Sequence, residues 1–121
     1  MRVAERVMAW ERAPAGSRVE ITLLPAAAMR RANRRATGRR GLTDVIAYTL
    51  PQPDGRLLGD VYICPAAAAN AARNGAGLRE ELVRLAVHGT LHVLGYDHPD
   101  ARRTRSRMWQ LQERYVRRLL R

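Results

Sequence analysis

The segment LREELVRLAVHGTLHVLGYDH (78–98) combines a long helical pattern with all three histidines of the 121-residue chain. Apolar residues recur along it at helical spacing and on most sides of the helix. Glu80 and Glu81 stand in the first turn, where the helix dipole favours acids. Gly95 is suited to end the helix, because glycine adopts a positive φ at little cost. The segment therefore predicts a nearly buried helix over 78–94, around which a small domain packs.

The three histidines have the spacing expected of ligands to one metal ion. His88 and His92 are four residues apart, so their side chains leave the helix on one face. The turn at Gly95 can bring His98 back beside them. Three neutral imidazoles that converge on one point suit Zn²⁺. We therefore predict one Zn²⁺ bound by His88, His92 and His98; the alternative is two core histidines and one loop histidine.

The number of ligands favours a catalytic ion. Structural zinc normally has four protein ligands, whereas catalytic zinc keeps a position for a water of pKa about 7. Cys64 is a candidate fourth ligand, but it ends a predicted strand and equally fits a small buried hydrophobe. Asp97 fits better as a turn residue or a partner of a ligand. The pattern indicates an open site and hydrolysis by a metal-bound hydroxide.

The same spacing matches the metzincin protease pattern H-E-x-x-H-x-x-G-x-x-H, except that Gly89 replaces the general-base glutamate. Without that carboxylate, no group at this position protonates the leaving amine of a peptide. A phosphodiester releases an alkoxide instead, which a metal or an arginine stabilises. The sequence therefore disfavours proteolysis. It assigns no general acid or base, because turn and cap roles explain Asp44 and Asp60 equally well.

The remaining patterns place this helix in an α+β domain. Further helices are predicted at 3–12, 25–36, 65–74 and 100–121, and strands at 18–24, 43–50 and 57–64. We predict one domain over residues 1–121, with a small mixed β-sheet packed against helices, a metal-binding helix and a C-terminal helix. The sequence shows no membrane span or signal-peptide pattern, and its lone cysteine fits a reducing compartment, so we expect a cytoplasmic location.

The charge indicates a polyanionic partner. All 22 basic residues are arginine, against 11 acids, which gives a formal net charge of +11. A compact chain this basic repels itself unless counterions or a polyanion offset its field. The charge is concentrated in two cationic faces. The first lies on the predicted helix 25–36 and the segment after it, and comprises Arg30, Arg31, Arg34, Arg35, Arg39 and Arg40. The second lies on the last predicted helix and comprises Arg103, Arg107, Arg114, Arg118 and Arg121. We predict nucleic-acid phosphate binding by these faces; a merely solvated surface is the alternative.

HGTLHVLGYDH (88–98) resembles the signature H-G-x-L-H-L-x-G-Y-D-H of the YbeY family of bacterial rRNA-maturation endoribonucleases, with Val93 in place of leucine. TDVIAY (43–48) is similar to that family's T-D-V-L-S-F, and LGDVYIC (58–64) is similar to its L-G-D-I-x-I. Asn33 matches the asparagine of the helix that precedes these segments. The order and spacing agree from Val19 to Met108. The resemblance implies a zinc-dependent hydrolase that cuts single-stranded RNA in small-subunit rRNA 3′-end processing and ribosome quality control.

The resemblance also implies the metal role of the three histidines and an RNA substrate. The charge pattern of residues 30–40 makes Arg34, Arg35, Arg39 and Arg40 the candidate RNA-binding residues. Its partners would be rRNA or a ribosome precursor and ribosomal proteins, with no membrane. Two features depart from the family. Thr37 occupies the position of a cleft arginine, with Arg39 close by. The family's leading strand is also missing, so we expect either a sheet one strand smaller or a late recorded start.

Two other functions remain open on the sequence. The first is a non-catalytic ribosome-assembly module that binds RNA and whose zinc is structural, with Cys64 as the fourth ligand. The second is a small metzincin-like metalloprotease, which the histidine spacing permits and Gly89 disfavours.

Overall fold

The computed structural model describes residues 2–72, 77–96 and 107–121. Its elements are α1 (Val3–Trp10), β1 (Arg18–Leu23), α2 (Ala26–Thr37), β2 (Val45–Pro51), β3 (Leu57–Ile63), α3 (Pro65–Ala72), α4 (Leu78–Val93) and α5 (Arg107–Leu119). The predicted order of helices and strands is confirmed, and most boundaries agree within two residues. The predicted start of the last helix near Asp100 lies outside the described residues.

The three strands form one mixed sheet in the order β1-β3-β2. β1 runs parallel to β3, with Val19 opposite Gly59, and β2 runs antiparallel to β3, with Tyr48 opposite Asp60. Because side chains alternate along a strand, each strand contributes to both faces of the sheet. The small mixed sheet of the predicted α+β fold is therefore confirmed.

The two faces of the sheet carry separate apolar clusters. The larger cluster joins α1, α4 and α5 to one face, through residues that include Val61, Ile63, Val87 and Leu91. The smaller cluster lies under α2 on the other face and is built on Met29, Ile46 and Cys64. Helix α4 is thus packed between the sheet and the other helices, as its apolar pattern predicted. Its first residue, Leu78, is an exception at 42% exposed.

Two glycines allow α4 to lie directly on β3. A Cβ atom placed at Gly89 would lie 2.5 Å from Cγ1 of Val61, and one placed at Gly59 would lie 2.5 Å from Cγ1 of Val93. Neither helix nor strand can therefore carry a side chain at these points without moving apart. The contact gives Gly89 a packing role in addition to the chemical one, because a glutamate at this position would not fit against the sheet.

We expect Gly89→Ala to lower the free energy of unfolding by up to about 2 kcal/mol, because overpacking a core costs about 1–3 kcal/mol, and the gain of about 1 kcal/mol that alanine offers over glycine inside a helix offsets part of that cost. Urea unfolding followed by circular dichroism measures the difference. The matched comparison is the same substitution in a Val61→Ala background, which lacks the Cγ atoms that the new Cβ would meet. Equal losses in the two backgrounds would contradict the packing role of Gly89.

Candidate metal centre

Helix α4 places His88 and His92 side by side on its face toward α5. Both side chains are half-buried, and the ring centroids are 4.5 Å apart. The two Nε2 atoms lie 3.1 Å from each other. Two ligands of a tetrahedral zinc ion with Zn–N bonds of about 2.0–2.1 Å are roughly 3.3 Å apart. The donor atoms and their separation therefore fit two adjacent positions of a zinc site.

Gln112 of α5 determines which nitrogen of His88 carries the proton. This glutamine is buried, and its Nε2 donates to Oε2 of Glu113 at 3.1 Å. Its Oε1 therefore faces His88, 2.7 Å from Nδ1. An amide oxygen only accepts hydrogen bonds, so Nδ1 of His88 must donate. The lone pair of this imidazole is then on Nε2, the atom that faces His92, which is the tautomer that an Nε2 metal ligand requires.

A salt bridge between α4 and α5 holds Gln112 in this orientation. Nε and Nη2 of Arg84 donate to the two carboxylate oxygens of Glu113, at 2.9 and 3.0 Å. Arg84 also donates to Glu80 and Glu81 at 3.1 and 3.2 Å. Burial raises the pKa of Glu113, but hydrogen bonds from Arg84 and Gln112 outweigh it and hold the pKa below its usual value. Glu113 is therefore ionised at neutral pH and accepts the amide N–H of Gln112.

The sequence interpretation missed Gln112 and the Arg84–Glu113 pair. The available signal is that the polar Gln112 lies at helical spacing within an apolar face of the last helix, which the sequence forms from Met108, Leu111, Tyr115 and Leu119. The structure buries Gln112 in that face, together with Met108, Tyr115, Val116 and Leu119. A buried polar side chain needs a partner, and this requirement points toward the histidines.

The chain turns sharply where α4 ends. Gly95 has a φ of +100°, as predicted, and the backbone N–H of Tyr96 donates to the carbonyl of Leu91 at 3.0 Å. The hydroxyls of Tyr96 and Tyr115 both donate to the carboxylate of Glu11, next to α1. Burial and the bond to Glu11 raise the pKa of Tyr115 to about 12, and the Glu11 bond also raises that of Tyr96. The turn is therefore anchored to both α1 and α5.

His98 and Asp97 lie outside the described residues, so the third ligand stays a prediction. Within residues 2–72, 77–96 and 107–121, no group of three or more His, Cys, Asp or Glu side chains is arranged to hold a metal ion. His88 and His92 are the part of the predicted ligand set that the structure brings together.

Cys64 lies on the opposite side of the sheet from the histidine helix. Its side chain is fully buried and packs with Met29 and Ile46 under α2. Its backbone N–H donates to the carbonyl of Asp44 at 2.9 Å. Because α4 covers the other face, the sheet separates the thiol from the two imidazoles. Cys64 therefore fits its interpretation as a small buried hydrophobe, and its placement disfavours a fourth-ligand role.

The candidate RNA-binding arginines lie along α2 and the loop that follows it. Arg34, Arg35, Arg39 and Arg40 are all exposed. The opposite face of α2 is buried through Met29 and Asn33. Ala36 lies on the side of α2 away from these arginines but is exposed, because the last turn of α2 extends past the apolar cluster.

Asn33 and Thr37 hold the loop that carries Arg39 and Arg40. Nδ2 of Asn33 donates to the carbonyl of Gly41 at 3.2 Å. The hydroxyl of Thr37 lies 2.8 Å from the carbonyl of Asn33 and accepts the backbone N–H of Arg39 at 3.1 Å. Thr37 therefore fixes the turn that presents Arg39 to solvent.

The cationic face of α5 is exposed as predicted at Arg107, Arg114 and Arg118. The guanidinium of Arg118 lies over the ring of Trp10, 4.4 Å from its centroid, so this arginine also stabilises the packing of α5 on α1. Arg103 lies outside the described residues. In the part of the chain that the structure describes, no helix is long and apolar enough to cross a membrane.

Comparison with known proteins identifies the family of the chain. The family model described as Endoribonuclease YbeY matches residues 1–120. A protein named Endoribonuclease YbeY from Sulfurihydrogenibium sp. (strain YO3AOP1) is 41% identical over 79% of this chain and 66% of its own length. A protein of the same name from Mycobacterium ulcerans (strain Agy99) is 37% identical over 84% of this chain and 63% of its own.

The chain thus spans slightly less than two thirds of the length of these two relatives. The solution structure of TM1509 from Thermotoga maritima has a TM-score of 0.62 and 25% identity to this chain. That similarity covers 94% of this chain and 71% of TM1509. With nearly its whole length matched by the family model and with relatives above 30% identity, the chain belongs to the Endoribonuclease YbeY family.

Proposed function

We propose that this protein is a zinc-dependent endoribonuclease that cuts single-stranded RNA in small-subunit rRNA maturation and ribosome quality control. The observation that carries the proposal is the histidine pair, whose Nε2 atoms lie 3.1 Å apart while Nδ1 of His88 is committed to Gln112. The names of the relatives, Endoribonuclease YbeY, support the reaction class. The proposal includes a cytoplasmic location, with rRNA or a ribosome precursor and ribosomal proteins as partners.

In the proposed mechanism, His88, His92 and His98 hold one Zn²⁺. That ion, when bound, supplies the Lewis acidity that lowers the pKa of water to about 7 and makes water a nucleophile at neutral pH. Gln112 keeps the Nδ1 proton of His88 in place and so presents its Nε2 as a ligand. No general acid or base is assigned.

The arginines of α2 and its following loop bind the substrate in this proposal. Arg34, Arg35, Arg39 and Arg40 are exposed on a chain of net charge +11, and they neutralise RNA phosphates. Arginine beside the scissile phosphate also offsets the negative charge that builds up in the transition state. The loop of Arg39 is held by Asn33 and Thr37, so the proposal gives Arg39 the role of the arginine that the family has at position 37.

The two alternative functions lack a supporting observation. A structural zinc closed by Cys64 is disfavoured because its side chain packs under α2 rather than beside α4. A metzincin-like protease is disfavoured because the position of its general base is Gly89, where even a Cβ atom would lie 2.5 Å from Val61.

Metal removal tests the proposal. We expect protein stripped with a chelator to lose cleavage of a labelled single-stranded RNA, and one equivalent of Zn²⁺ to restore it. A duplex of the same sequence is the control substrate and should resist cleavage. Cleavage products are resolved on a denaturing gel, and bound zinc is counted by mass spectrometry. If the stripped protein cleaves as fast as the zinc-loaded protein, the proposed mechanism is wrong.

A further inference from the structure

We propose that Tyr48 and Tyr62, together with Arg31 and Arg35, form a subsite for one nucleotide of single-stranded RNA. A base stacks on the exposed ring of Tyr48 beside Tyr62, and its phosphate pairs with the arginines. The inference rests on the proposed function, because it takes RNA to be the substrate. It adds a site on the face of the sheet opposite the histidine helix, where the sequence pattern assigned no binding role to an aromatic residue.

The two tyrosines lie on the same face of neighbouring strands. Tyr62 of β3 is opposite Ile46 of β2, and Tyr48 is two residues further along β2, so both rings share the face that α2 partly covers. Helix α2 buries Ile46 through Met29, but Tyr48 remains 37% exposed. The face therefore stays open beside the helix.

The geometry of the ring pair leaves aromatic surface available to a base. The ring centroids are 5.9 Å apart and the planes meet at 77°, an edge-to-face arrangement. In such an arrangement one ring directs its edge, not its face, at the other, so the pair does not bury all of its own π surface. Base stacking on an open tyrosine ring is the usual way in which proteins hold single-stranded RNA.

A groove of about 450 Å³ lies between the tyrosines and α2. Ala28 and Ala32 of α2 leave room beside the rings because their side chains are small, and Arg31 and Arg35 complete the lining on the helix side. Sites for small ligands measure about 300–1,000 Å³, so the groove is large enough for a nucleotide.

The charged side chains around the groove determine how the nucleotide is oriented in it. Arg31 and Arg35 are exposed, one helical turn apart, and neither forms a salt bridge with an acid of the described residues. The carboxylate of Asp60, opposite Tyr48 in the strand register, repels phosphate. The phosphate therefore faces α2 and the base faces the sheet. Arg35 is shared with the proposed RNA path along α2, which makes the subsite an extension of that path.

Binding of a fluorescein-labelled eight-nucleotide single-stranded RNA to the zinc-loaded protein tests the subsite. Fluorescence anisotropy is measured at low temperature to slow cleavage, and the RNA is checked afterwards to confirm that it is intact. We expect Tyr48→Leu to weaken binding roughly 5- to 150-fold, the range for loss of one base–aromatic stack. Tyr48→Phe keeps the ring and should stay within about twofold of the native affinity. Thermal unfolding confirms that both variants fold.

The arginines are tested by the salt dependence of the same binding. Arg35→Gln should reduce the slope of log K against log salt by about 0.7, the value for one lost phosphate contact on a single strand. Arg79→Gln is the matched control, because Arg79 is exposed on α4, outside the groove and outside both cationic faces. A smaller change is expected there.

Cross-linking locates the base directly. RNA that contains 4-thiouridine is irradiated with the native protein, and the modified peptides are identified by mass spectrometry. We expect a peptide that contains Tyr48 or Tyr62. The subsite is refuted if Tyr48→Leu and Tyr62→Leu both bind RNA with native affinity, or if every cross-link maps to another surface.

The failure of the subsite and the failure of the proposed function have different signatures. If only the subsite is wrong, the native protein still cleaves RNA in a zinc-dependent way, while the tyrosine variants bind normally. If only the endoribonuclease function is wrong, the tyrosine variants lose RNA affinity, while the zinc-loaded native protein produces no cleavage.

Discussion

His92→Ala is expected to abolish both stoichiometric zinc binding and RNA cleavage. The substitution removes one of two imidazoles whose Nε2 atoms lie 3.1 Å apart, and so deletes a ligand rather than repositioning it. Loss of a residue that only supports a ligand weakens metal binding roughly 10- to 100-fold, and loss of the ligand itself should exceed that range. Zinc content after dialysis and the cleavage rate are measured together.

The fold should survive this substitution, because His92 is half-buried and alanine is the best helix former. Arg79→Ala is the matched control, since Arg79 is exposed on the same helix. It should keep one equivalent of zinc and native cleavage. A His92→Ala protein that holds one zinc with native affinity would show that the ion lies elsewhere.

Gln112→Leu is expected to weaken zinc binding roughly 10- to 100-fold while leaving all the histidines in place. Leucine has a similar size, but it cannot accept a hydrogen bond from the Nδ1–H of His88, as Oε1 of Gln112 does at 2.7 Å. The His88 imidazole then loses the bond that fixes its tautomer, and part of the population carries its proton on Nε2. A zinc titration against a competing chelator measures the change in affinity.

A spectroscopic readout separates positioning from a general loss of stability. The ¹⁵N chemical shifts of the metal-free protein report the His88 tautomer, which we expect to be the Nδ1–H form in the native chain and a mixture in Gln112→Leu. Gln110→Leu is the matched control, because Gln110 is an exposed glutamine of the same helix. Unchanged zinc affinity and tautomer in Gln112→Leu would remove Gln112 from the metal site.

Local sequence patterns predict the helices and strands of this fold, but they do not predict which strands pair with one another. The helix over 78–94 and the strands at 18–24, 43–50 and 57–64 follow from apolar periodicity, and the structure confirms them within a few residues. The order β1-β3-β2, with β1 parallel to β3, joins residues forty positions apart, such as Val19 and Gly59. Periodicity within a strand does not determine which neighbour it pairs with.

The same limit applies to the site. The spacing of His88 and His92 places them on one face of a helix, and the sequence alone establishes this. The contact of His88 with Gln112 joins two helices across 24 residues, so it depends on how α5 packs on α4. The close approach of Gly89 to Val61 likewise depends on the packing of α4 on the sheet. The sequence shows that position 89 carries glycine instead of glutamate. It does not show the steric reason, which is the contact of Gly89 with Val61.

X-ray absorption at the zinc K-edge of the reconstituted protein tests the proposed metal site most directly. We predict one zinc ion with three imidazole nitrogens and one oxygen from solvent as neighbours. A sulfur neighbour at about 2.3 Å would contradict this result, because it would place Cys64 on the ion and close the position that hydrolysis needs. Fewer than three imidazoles around the zinc would contradict the predicted ligand set of His88, His92 and His98.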